Sequence, residues 1–140
     1  HSDLRARVLL VHDHVVELPL QVSSSDGSIE AVAGNAAFLA LLDAGVAMRA
    51  TSLSVSVGVR CGPEVAGPAA LLLDPTEAEE KECDAVVTIS VDVSREQLIS
   101  SLSTGAALDA VAWSGCVTAG AKACKVLEAF VRMSLEKRLE

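Results

Sequence analysis

Aromatic side chains are almost missing: Phe38, Trp113 and Phe130 are the only three in 140 residues, and there is no tyrosine. The core must therefore be aliphatic, and a base-stacking platform, which needs several exposed rings, finds no material. Cations are scarce too. Eleven Lys and Arg stand against nineteen Asp and Glu, and the resulting net charge of −8 repels a phosphate backbone from most of the surface. Alone, such a domain is a poor nucleic-acid binder. No apolar run reaches membrane-spanning length. Cys61, Cys83, Cys116 and Cys124 fall at no metal-ligand spacing, and unpaired thiols point to a reducing, intracellular compartment. The chain opens on His1-Ser2 instead of methionine, which reads as a cloning junction or a cut.

What is abundant is small and aliphatic. Hydrophobic residues make up 51% and charged residues 21%, the balance of a globular chain long enough for one domain with a sizeable core, residues 1–140. The stretch Ser28 to Val46 (SIEAVAGNAAFLALLDAGV) interrupts its apolar run only at Glu30, Asn35 and Asp43. These point in different directions at 100° per residue, so the spacing predicts a central helix covered on more than one side. Gly34, Ala36 and Ala37 lack bulk and would let a strand layer approach closely. Ser23 to Gly27 (SSSDG) has turn and capping chemistry, and Asp43-Ala44-Gly45 ends the helix.

Before it, Leu4 to Val11 and Val15 to Val22 flank His12-Asp13-His14, with Pro19 in the second run, and read as one extended strand with a bulge or insertion. After it, Leu53, Val55, Val57 and Val59 alternate with Ser54, Ser56 and Gly58, the period of a strand. Gly62 to Pro68 is a loop leading to a short strand, Ala70 to Leu73, in a hairpin. Glu77 to Glu82 is a charged connection of about one helical turn, and Ala85 to Val91 and Gln97 to Leu102 are further strands. From about Ala107 a long amphipathic helix carries Trp113, Cys116, Val117, Gly120, Cys124, Leu127, Phe130 and Val131 on one stripe, with Lys137 and Arg138 at the negative end of its dipole. The order argues α+β with a mixed or antiparallel sheet, because the mid-chain strands leave no room for crossover helices.

The string SSSDGSIEAVAGNAAFLALLDAGVAMRA, then the Ser/Val strand, LLLDPTEAEEKECDAVVTISVD and QLISSLSTGA, resembles the carboxy-terminal part of the RNase PH family, within it the ring subunits of eukaryotic exosomes. The resemblance runs in order from about Val15 onward. It implies a fold like the second domain of ribosomal protein S5, a mixed sheet packed with a central buried helix and a long carboxy-terminal helix, here without the family's amino-terminal half. Active members are phosphorolytic exoribonucleases whose phosphate sits at the start of the central helix, on a Gly-Gly-Ser/Thr-Arg segment offering N–H groups, a hydroxyl and a guanidinium.

At that segment this chain carries Gly27, Ser28, Ile29 and Glu30: the hydroxyl position falls on Ile29 and the arginine position on Glu30. A carboxylate there repels phosphate. The family's catalytic aspartate falls on Asp84, which alone reads better as a strand-entrance residue bonded to backbone N–H groups. The resemblance implies a non-catalytic structural subunit of the exosome core ring, needing no cofactor or metal. Its partners would be other RNase PH-like subunits in a hexameric ring and RNA in the assembled channel, its location nucleus, nucleolus and cytoplasm, with a homo-oligomer as its form in isolation. The alternative is a phosphorolytic exoribonuclease using Asp84, phosphate and Mg²⁺.

Other clusters have plainer readings. His12-Asp13-His14 lacks a third ligand and is a surface bulge; Glu77, Glu79, Glu80 and Glu82 are a solvated charged loop; Cys83, near Lys81 and Asp84 with no histidine close by, is a small buried residue. The Gly62 to Gly67 loop lacks the lysine of a phosphate-binding loop.

Overall fold

A computed structural model describes residues 3–9, 15–61 and 69–139. Nine elements follow in the order β1 (Asp3–Leu9), β2 (Val15–Gln21), α1 (Ile29–Asp43), β3 (Ser52–Arg60), β4 (Ala70–Leu73), α2 (Glu77–Glu82), β5 (Ala85–Asp92), β6 (Gln97–Gly105) and α3 (Ala110–Leu139). The first two strands do not form one bulged strand. They pair antiparallel, Asp3 opposite Gln21 and Leu9 opposite Val15, as a hairpin in which Pro19 stands opposite Arg5. Two apolar runs can pair with each other as readily as continue, and proline is tolerated because β2 has no strand on its other side among the described residues. His12, Asp13, His14 and the Gly62 to Gly67 loop lie outside the described residues.

The larger sheet has the order β4-β3-β5-β6, and every pair in it is antiparallel, which is one of the two arrangements that the element order allowed and not the mixed sheet implied by the resemblance. Leu53, Val55, Val57 and Val59 stand opposite Val91, Ile89, Val87 and Ala85 and form an aliphatic face. Leu53, Val57, Val59, Val87 and Ile89 are essentially solvent-free, each worth about 1.5–3 kcal/mol of burial. α3 lies on this face. Its Gly120 brings the backbone so near that a Cβ would stand 3.1 Å from Ile89 Cδ1 and 3.4 Å from Val55 Cγ1, while Cys116 and Cys124 are fully buried and the Cys124 thiol donates to Leu53 O at 3.4 Å.

The opposite face is hydroxylic. Ser54 Oγ and Ser90 Oγ lie 2.8 Å apart, and Ser56 Oγ and Thr88 Oγ1 3.1 Å apart, cross-strand pairs worth roughly 0.2–1 kcal/mol each. α1 packs here. Gly34 approaches as its size predicts: a Cβ would be 3.0 Å from Ser54 Oγ. Beyond Val57, β4 no longer borders β3, and the exposed edge is finished by side chain and loop: Asn35 pairs with the Ser54 peptide, and Asp74 N–H donates to Ser56 O at 2.8 Å.

α1 buries Ala31, Phe38 and Leu41 only, whereas Ile29, Val32, Leu39 and Leu42 remain exposed, so it is covered on one side and not, as its composition suggested, on several. Its end is a Schellman turn with Gly45 at φ +69, Gly45 N–H donating to Leu42 O and Val46 N–H to Leu41 O. α3 starts three residues later than expected, because Asp109 caps it through Oδ1 to Ala112 N–H at 2.7 Å. Its 30 residues reach about 45 Å against about 30 Å for the longest strand, so Trp113 and Phe130, on the predicted stripe, stay exposed. β6 borders the sheet with all nine residues exposed.

Candidate phosphate-site remnant

Gly27, Ser28, Ile29 and Glu30 come at the start of α1 as expected, but the turn is shaped by the segment 74–80 and not by a ligand-ready cradle. Gly27 has φ +92, and a Cβ on it would meet Pro75 O at 2.4 Å and Glu77 N at 2.8 Å, so only glycine fits. Ser28, the residue before the helix, is buried in the left-handed region at φ 53 and ψ 28, and its hydroxyl makes no capping bond. Ser28 Oγ donates instead to Pro75 O at 3.2 Å, and Ser28 N–H donates to Glu80 Oε1 at 2.7 Å. Glu77 N–H donates to Asp26 O at 3.1 Å. Ile29 and Glu30 are exposed on the first turn.

A cleft of about 450 Å³ opens beside this turn, between the end of β2, the Ser23–Gly27 loop, α1 and Asp74-Pro75-Thr76. Its charged lining residues are Asp26 and Asp74, with no Lys or Arg among them. Neither Glu30 nor Asp84 lines it, so the two expected halves of the site do not share this cleft. Asp84 precedes β5 and is tied to strand ends: its N–H donates to Val59 O at 2.9 Å, its carbonyl accepts from Ala106 N–H at 2.8 Å, and its Oδ2 accepts from Cys61 N–H at 2.5 Å. Gly105 at φ +97 is pressed against it, a Cβ there falling 2.4 Å from Asp84 O. Asp84 is thus bonded to backbone at the entrance of β5.

The carboxylates between Thr76 and Asp84 are not a solvated loop. They form α2, whose Thr76 and Glu79 make a reciprocal capping box. Thr76 N–H and Oγ1 donate to Glu79 Oε2, both at 2.9 Å, and these donors hold the Glu79 carboxyl below its ordinary value. Lys81 Nζ bonds Glu77 at 2.6 Å, Glu82 pairs with Arg60, and Glu80 reaches Ser28. Sequence reasoning missed the Glu80 contact. The only trace was the helix-capping pattern Thr76-x-x-Glu79, which fixes the face on which Glu80 must lie. Cys83 is partly buried beneath Gly58, where a Cβ would stand 2.6 Å from its Sγ, and burial, the largest influence, pushes its thiol up, opposite to activation. Among the described residues no group of three His, Cys, Asp or Glu is placed to hold a metal ion, and no helix is long and apolar enough to cross a membrane.

No family model matches the chain. It is 34% identical over 121 residues to the human protein "Exosome complex component MTR3", a match covering 86% of this chain and 43% of that protein. In structure it is similar to the rice (Oryza sativa) Rrp46 crystal structure, with TM-score 0.71 and 24% identity over 87% of this chain and 53% of that one. The chain thus spans about half the length of these relatives. The antiparallel sheet between a central helix and a long carboxy-terminal helix is an α+β architecture of RNase PH-like fold.

Proposed function

We propose that this chain is a structural, non-catalytic ring subunit of an RNA exosome, supporting 3′-to-5′ RNA processing and degradation by helping to form the channel. One observation carries the reading. At the helix start, where an active relative needs a cation for phosphate, this chain has Glu30, and the cleft beside that turn carries Asp26 and Asp74 and no Lys or Arg among its described lining residues. A site that works by electrostatic stabilisation fails when its charge is reversed. The relatives support membership of an exosome assembly. The strings LLLDPT, EKE and NAAFLALLDAGVAMRA favour, within that group, a likeness to the subunit called exosome component five.

Assembly has a surface to use. β6 (QLISSLSTG) is nine residues long, carries no charge and no proline, and leaves its outer edge without a strand among the described residues. Natural edges are usually protected by those very residue types, so an unprotected edge is one that a neighbour covers. Pairing with an RNase PH-like neighbour, RNA contact from basic surfaces of the joint channel, and residence in nucleus, nucleolus and cytoplasm belong to this reading. In isolation the chain forms homo-oligomers.

The test is phosphate-dependent release of nucleoside diphosphate from a 3′-ended RNA by the purified chain. None is expected. Release that is abolished by Asp84→Asn would establish the phosphorolytic alternative instead. A co-expressed RNase PH-like subunit is expected to co-purify, and Leu102→Lys in β6 to release it.

A further inference from the structure

The start of α1 presents N–H groups and a positive dipole end, which at any helix start favours an anion. In this chain the anion is already supplied. Glu80 sits on α2, more than fifty residues along the chain, and its Oε1 accepts the Ser28 N–H at 2.7 Å. Ser28 offers a ligand nothing further: its Oγ donates to Pro75 O at 3.2 Å, and the space over Gly27 is filled by Pro75 O and Glu77 N. The turn is closed from the far side by Glu77 N–H donating to Asp26 O at 3.1 Å. Three separate contacts therefore fix residues 26–28 to 75–80, and the carboxylate is the one that meets the helix end.

We propose that Glu80 closes the former phosphate site from within, its carboxylate standing where an inorganic phosphate oxygen would, so that the remnant is an internal clamp joining α1 to α2. The proposal rests on reading Gly27 to Glu30 as the remnant of that site. It adds a cause to the loss of chemistry: restoring arginine at residue 30 would still leave the Ser28 N–H occupied. Phosphate would accept this N–H through a charge-assisted bond of the same kind, but Glu80 is already held there by the fold whereas a free ion loses its translational freedom on binding, so exogenous phosphate does not displace the carboxylate. Glu80 is here a positioning residue and does no chemistry.

Amide hydrogen exchange and a phosphate titration at constant ionic strength, both followed by NMR on the full chain, test this. In Glu80→Ala the Ser28 amide is expected to exchange about tenfold faster than in wild type, while Glu96→Gln, far from the turn, leaves it unchanged. Wild-type Ser28 is expected not to respond to inorganic phosphate. If Glu80→Ala does not fold, Glu80→Gln, which keeps an acceptor oxygen without the charge, is expected to give a smaller rise. Unchanged exchange at Ser28 in whichever variant folds, or saturable phosphate binding at that amide in wild type, overturns the clamp. Those outcomes leave the ring-subunit reading standing, since it is contradicted by phosphate-dependent RNA cleavage by the wild-type chain or by failure of an RNase PH-like subunit to co-purify, and Ser28 exchange reads neither.

Discussion

Asn35 pairs with Ser54 as a neighbouring strand would: Asn35 Nδ2 donates to Ser54 O at 2.8 Å and Ser54 N–H donates to Asn35 Oδ1 at 2.7 Å. β4 is too short to reach this part of β3, and the carboxamide supplies the missing donor and acceptor from α1. Asn35→Leu removes both and leaves a buried peptide group unpaired, for a loss of about 2–4 kcal/mol. Asn35→Asp keeps the acceptor but sets a carboxylate against a carbonyl oxygen, so it recovers little. Urea unfolding midpoints measure both, and an Asp variant as stable as wild type would contradict the pairing.

Gly27→Ala puts a methyl group into Pro75 O and a side chain on a left-handed residue. Backbone cannot move aside as a side-chain tip can, so a loss of about 2 kcal/mol or more is expected. Gly45 has positive φ but open space around it, so Gly45→Ala carries only the backbone penalty, about 1 kcal/mol. Thermal melts of the two variants should rank in that order.

The thiols should react in sequence. Cys61 is exposed, Cys83 intermediate, and Cys116 and Cys124 fully buried. Burial pushes the Cys124 thiol up to about 11, so it stays protonated and unreactive at neutral pH. Alkylation at pH 8 followed by mass mapping is expected to label Cys61 first and Cys124 only after denaturant is added. Early labelling of Cys124 would mean that α3 does not lie on β3.

Acid should weaken the cap of α2. The folded Glu79 carboxyl lies below its ordinary 4.5 because Thr76 backbone and side-chain donors favour the charged form. Its folded state binds protons less readily than its unfolded state, so its stabilisation is present above about 4.5 and is lost as pH falls through the lower folded value. Glu79→Gln should therefore be less stable than wild type at pH 7, with the gap closing toward pH 3 in urea titrations. A gap that widens on acidification has the wrong sign.

Much of this architecture could be read from the chain because its signals are local. The alternation from Leu53 to Val59 specifies a strand with two unlike faces, and both appear, one under α3 and one under α1. Periodicity also assigns α3 its face, but it cannot tell how far the opposing sheet extends, which is why Trp113 and Phe130 were misplaced. The hairpin of β1 and β2 was missed because apolar runs state that strands exist, not which strands they pair with. At the candidate site, Ile29 and Glu30 were legible as residue types. Glu80 meeting Ser28 was not, since the capping pattern Thr76-x-x-Glu79 places Glu80 on a helix face but does not name a partner more than fifty residues away.

The unlike faces of the sheet also give its two helices opposite responses to temperature. α3 rests on Val, Ile and Leu, and attraction of that kind is largely entropic near 25 °C and fades on cooling. α1 owes more of its hold to the Asn35 carboxamide and to contact with the hydroxyl of Ser54, directional bonds that do not weaken in the cold. Chilling therefore loosens the long carboxy-terminal helix relative to the central one, and the sheet keeps α1 while the grip on α3 slackens.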